Sequence, residues 1–173
     1  MAAEVNPDSA TLAVELPIAD LHFHPSLDLS PSEAKKWMDE SGVRWAGAGV
    51  RRGDASTWRD YSKELGNGFI AFAGQTELNH AYFEGGVAAM EDAKNPIVSA
   101  LLTQVEEDLK AGRIKGVGEI FVNNSNSSPN PAFRRKVRAD APSIRLLYQV
   151  VVKYGAFLTF HMEADSDNIA EME

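Results

Sequence analysis

From residue 17 onward, short apolar runs alternate with segments of helical period, a pattern that predicts serial βα units and a parallel α/β fold. The first expected strand is residues 17–24. Ser30-Pro31-Ser32-Glu33 then supplies a capping Ser, a Pro at the first helical position and a Glu three residues after the cap, and Gly42 follows the last turn. A second strand is expected at 43–50, a short helix at 57–65 closed by Gly66, and a third strand at 69–74. Asn95-Pro96 opens a helix to about Lys110, with Ile97, Leu101, Val105 and Leu109 recurring at spacing four. Residues 114–122 read as the fourth strand and 123–141 as a long polar loop. A helix from Pro142 through Tyr154 follows, released by Gly155 into a fifth strand at 156–161. Residues 165–173 read as the start of another helix. Residues 1–16 are an N-terminal extension, and 17–173 form one domain.

Strand alternation places candidate chemistry at one end of this sheet. Ile18, Asp20, His22 and His24 share a face, which sets two imidazoles about 7 Å apart along the backbone at the C-terminal end, where parallel α/β folds build their sites. Two neutral imidazoles can converge there on one divalent ion, with Asp20 below to orient a ring. The same alternation groups Lys115, Val117, Glu119 and Phe121, with Gly116 and Gly118 opposite for close helix packing. Glu119 lies near the end, while Lys115 sits roughly 13 Å lower, too deep to join a metal site. His161 closes the fifth strand, and Glu163 shares its face as a substrate-contact candidate. The structural alternatives are histidines that alternate by chance and a Glu119 paired with a nearby arginine.

Composition narrows the chemistry. The chain has no cysteine, so a metal must be held by His, carboxylate or water. With 17 Lys and Arg against 25 Asp and Glu, the net charge of −8 argues against nucleic acid as a general partner. No apolar stretch approaches the roughly 20 residues of a membrane helix. The start lacks a basic segment followed by an apolar run, so the cytoplasm is the default compartment, although an exported form whose leader was removed before Ala2 would read the same. Against the acidic background, Arg134, Arg135, Lys136 and Arg138 cluster in the polar loop. Arg134 and Arg135 are candidates to hold a substrate carboxylate or phosphate, with solvated loop charge as the alternative. Trp37, Trp45 and Trp58 read as core or helix-packing residues.

Asp20-Leu21-His22-Phe23-His24 on the first strand, Gly116-Val117-Gly118-Glu119-Ile120 on the fourth and His161 closing the fifth resemble the amidohydrolase superfamily, in particular its TatD-like and amidohydrolase-related branches. The resemblance covers residues 17–165 in strand order. It implies a (β/α)8 barrel of the TIM type and a mono- or binuclear centre that activates water to hydrolyse an amide, ester or phosphoester of a small molecule. Zinc is the first expectation, manganese or iron the alternatives. It makes His22 and His24 ligands of the more buried metal, Glu119 a ligand or bridge, and His161 a ligand of the second metal. The family also takes a His from strand six and a proton-accepting Asp from strand eight, which these 173 residues do not include. A truncated barrel, completion by a second copy or a complementing C-terminal half, and a noncatalytic remnant that binds metal or a partner chain are the resulting alternatives. A phosphoesterase of the PHP class also opens with His-x-His, but the stretch between His24 and Arg59 holds no further histidine.

Overall fold

The computed structural model describes residues 11–12, 15–25, 28–49, 55–124, 130–131 and 134–163. Over these the chain is an α/β protein whose sheet is mixed rather than wholly parallel. The elements are β1 (Ile18–Asp20), α1 (Pro31–Ser41), β2 (Val43–Gly49), α2 (Ala55–Leu65), β3 (Phe69–Gly74), α3 (Gln75–Glu91), α4 (Pro96–Lys110), β4 (Gly116–Asn124), β5 (Arg135–Lys136), α5 (Pro142–Lys153) and β6 (Phe157–Met162). Five strands run parallel in chain order, β1-β2-β3-β4-β6, and β5 lies antiparallel against the end of β4. No helix among the described residues is long and apolar enough to cross a membrane.

Local signals fix most helix ends. Ser30 Oγ accepts from the Glu33 amide while Glu33 Oε2 accepts from the Ser30 amide, a reciprocal cap on α1, and Gly42 ends that helix at φ 74°. Asn95 Oδ1 accepts from the amides of Ile97 and Val98 to start α4. α3 has no counterpart in the periodicity reading, which passes over residues 75–94. Its interior carries Gly85-Gly86, with Gly86 at φ 61° and ψ −150°, so two short helical pieces meet at a kink and blur any single apolar stripe. His80 lies on α3, 3.6 Å from Glu84 one turn on. The stretch expected as a polar loop contains β5, and the helix expected at 165–173 lies outside the described residues.

The core fills the face of the sheet that α3, α4 and α5 cover. Ala71 of β3 and Val117, Ile120 and Val122 of β4 pack there against Leu78, Leu101, Val105, Ile144 and Leu147. Gly74 carries the chain from β3 into α3 at φ 95°, where an added Cβ would lie 2.9 Å from Val117 Cγ1. Trp37 departs from the core reading: it is 58% exposed. Trp58 packs on the core edge, its ring 6.5 Å from that of Phe69.

Two strands break simple alternation, and both breaks shape the site. In β4, Val117 and Ile120 both face the helices although three residues apart, and the register with β6 shifts between them. Val117 thus does not share a face with Glu119. Gly116 does not face a helix: an added Cβ there would lie 2.5 Å from the Phe72 ring and 3.0 Å from the Phe157 carbonyl oxygen. In β1 the strand ends at Asp20 and Leu21-His22 form a turn, so Leu21 lies beside Gly47 instead of under a helix.

Leu147, fully buried on α5, tests this core. Leu147→Ala is expected to destabilise the protein by about 2–5 kcal/mol, whereas Tyr148→Ala, on the exposed side of the same helix, should stay within about 0.5 kcal/mol. Urea unfolding midpoints of the two variants check it.

Candidate metal centre

The face opposite the helices holds a cleft of about 490 Å³ at the C-terminal ends of β1, β4 and β6. His22 and His24 reach it from the turn after β1, Glu119 from β4 and His161 from β6, with Phe72, Phe160 and Met162 as apolar wall. β1 and β4 are three positions apart in the strand order. β2 and β4, two positions apart in the same order, come within 8 Å of each other between Cα atoms, closer than the roughly 9.6 Å of a flat sheet, and His22 Nε2 lies 3.3 Å from Glu119 Oε1. The sheet therefore curls, with the cleft on its concave side.

Glu119 is the centre of the cluster. It is only 7% exposed, and imidazoles approach it from two sides of the cleft. His161 Nδ1 stands 2.8 Å from Oε1, where an ionised carboxylate takes the ring N–H as donor. His24 Nε2 lies 4.0 Å from Oε2, an oxygen with no hydrogen-bond partner. The rings of His22 and His24 meet edge to face, their centroids 4.5 Å apart. The alternative that Glu119 pairs with an arginine is not what the structure holds; its partners are histidines.

The donor atoms of His22, His24 and Glu119 all lie within 4.8 Å of one another. Ligands about 2.1 Å from a tetrahedral ion stand about 3.4 Å apart; the donor atoms already lie within 4.8 Å of one another, and His24 Nε2 is 4.0 Å from the unpartnered Oε2, so modest side-chain movement would bring them onto one ion. Two imidazoles with a carboxylate suit zinc, and also iron or manganese. The buried, unpartnered Oε2 is the position that a cation would satisfy. His161 is not in that triad; it braces the carboxylate from the far side.

Other expectations fare differently. Asp20 does not orient a ring: its Oδ1 accepts from the His22 backbone amide at 2.9 Å, which holds the turn that presents both histidines. A further backbone bond, from Phe23 N–H to the Gly47 carbonyl at 3.0 Å, pins the segment to β2. Glu163 is bound through its main chain to Asn123, amide to carbonyl and carbonyl to side-chain amide, and the described lining of the cleft ends at Met162. Arg134 is exposed, whereas Arg135 is 5% exposed; burial lowers the pKa of its guanidinium, with Tyr82 opposing the shift. Arg138 and Arg145 clasp Asp140, whose carboxyl their hydrogen bonds hold well below its usual range. Phe72 was not legible as a site residue; the signal lay in Gly47 and Gly116, whose missing side chains admit its ring.

No family model matches the chain, and no curated protein and no solved structure matches it.

Glu119→Gln preserves shape and removes the charge. Zinc affinity is expected to fall by more than about tenfold, since even residues that only orient ligands cost about 10–100-fold when changed. Competition against a chromophoric chelator measures it; an unchanged affinity would remove Glu119 from the centre.

Proposed function

We propose that this chain is a metal-dependent hydrolase of the amidohydrolase type, its parallel strands forming part of a (β/α)8 barrel. The observation that carries the reading is the convergence of His22, His24 and Glu119 at the C-terminal end of a curled parallel sheet, the end at which such barrels hold their sites. The unbroken order β1-β2-β3-β4-β6 supports a singly wound sheet. Ile18 on β1 and Phe157 and Phe160 on β6 are exposed apolar residues on the two outermost parallel strands, as expected where further strands would cover them.

In this reading His22, His24 and Glu119 would hold the ion, while His161 hydrogen-bonds to Glu119 Oε1. The ion would lower the pKa of a bound water towards 7 and polarise the scissile carbonyl or phosphoryl group. His161 fixes the carboxylate so that the ligand oxygen does not rotate away. Phe72, Phe160 and Met162 make part of the wall apolar.

Elemental analysis for zinc, manganese and iron in the purified chain and in a His22→Ala/His24→Ala double variant is the first test. Near-stoichiometric metal is expected in the former and little in the latter; equal content would sink the site. A panel of chromogenic esters, anilides and phosphodiesters follows. Hydrolysis abolished by chelator and restored by metal is expected for at least one bond class. Bound metal with no turnover on any would favour the noncatalytic, metal-holding alternative.

A further inference from the structure

The cleft has a floor that the metal centre does not use. Leu21 follows Asp20 into the turn after β1 and stays exposed although apolar. Its side chain lies beside Gly47: a Cβ added to that glycine would stand 3.0 Å from Leu21 Cδ2 and 3.3 Å from Phe72 Cζ. Leu21 and the Phe72 ring thus border the same missing side chain and form one apolar floor, with Phe160 and Met162 on the β6 side. Gly116 leaves room for the same ring, since a Cβ there would lie 2.5 Å from it. The cleft above, about 490 Å³, has space for a small organic molecule.

The charges that face this cleft are of one sign. Among its described lining residues Asp20 and Glu119 are the acidic groups, and no lysine or arginine joins them. A divalent ion held by His22, His24 and Glu119 would offset those two carboxylates, and neutral imidazoles add no charge, so the cleft would carry about zero net charge with the ion in place. A phosphodiester brings a further negative charge, and sites that transfer phosphoryl groups clamp it with Arg, Lys or additional metal. A carboxylic ester or amide is neutral and needs its carbonyl polarised. An apolar substituent on the acyl carbon gains by leaving water for a floor of Leu and Phe.

We propose that the cleft takes an amide or ester of an apolar carboxylic acid, with its aromatic or branched acyl group resting on Leu21 and Phe72. Leu21 is then a specificity-determining residue, and Gly47 keeps the floor open by having no side chain. This inference rests on the metal-dependent hydrolase reading and narrows its bond classes to carbonyl compounds, leaving phosphoesters out.

The test uses the full chain loaded with zinc and titrated in a calorimeter with benzohydroxamate, acetohydroxamate and phenylphosphonate, so that binding is read without turnover. Benzohydroxamate is expected to bind at least about tenfold tighter than acetohydroxamate, the lower bound for burying a phenyl-sized group, and tighter than phenylphosphonate. Leu21→Ser should lower the ratio of the two hydroxamate affinities by at least about threefold, and Tyr148→Ala, on the exposed side of α5, should leave it as it is. A smaller ratio in the wild type, or one that Leu21→Ser does not lower, overturns this inference alone. Phenylphosphonate bound as tightly as benzohydroxamate, or more tightly, overturns it in favour of a phosphoryl substrate. A chain that takes up no zinc overturns the metal-dependent reading and this inference together. Should Leu21→Ser lose zinc, Phe72→Leu decides by the same ratio.

Discussion

A carboxylate sunk into a sheet is the constraint on which the concave side of this protein depends. Glu119 is almost fully buried on β4, and taking an ion out of water costs several kcal/mol unless partners replace the solvent. One oxygen takes a hydrogen bond from His161 and the other does not have one. Much of the surrounding geometry serves to bring imidazoles to that group. The turn after β1 is held by Asp20 and tied to β2, and from that turn the His22 side chain reaches Glu119 on the fourth strand. Gly47 and Gly116 leave the room that the Phe72 ring takes, so an apolar side chain fills the floor of the cleft beneath the polar cluster.

What was legible in the sequence follows from how local each signal is. The Ser30 capping box, the Asn95 cap and the Gly42 stop act within one turn, and α1 and α4 form where they say. β3 matches its expected limits because a short apolar run between turn residues has little freedom. The two histidines and Glu119 converge as the order of parallel strands requires. The misses are nonlocal. Parity along β4 fails at Val117–Ile120, where the pairing with β6 shifts around Gly118 at φ 133°; the glycine inside the strand was the one local sign of it. β5 exists because Val137 N–H finds the Val122 carbonyl and Val137 enters the core, a tertiary match in a stretch whose composition reads as loop. Arg135 was legible as a residue type but not as a buried one, since its burial is created by α3, the helix whose glycines hid it.

The metal centre and the buried Arg135 are neighbours. Phe121 contacts both: its ring lies 4.7 Å from that of His161 and 5.4 Å from the Arg135 guanidinium carbon. Cleft and guanidinium thus share one aromatic partition on β4. Movement of that ring would be felt on both sides, because packed interiors transmit displacement instead of absorbing it.

Glu119 and Arg135 are buried charges of opposite sign on adjacent strands of the same sheet. For a chain selected only to fold, pairing them would be the least costly arrangement, since each would satisfy the edge that the other lacks. The structure instead sets Phe121 and His161 between them, and both charges keep an unmatched face: Oε2 on the carboxylate, Nε and Nη2 on the guanidinium. Two unmatched faces of opposite sign thus lie on either side of Phe121, one beside a set of imidazoles and the other beside a buried amide.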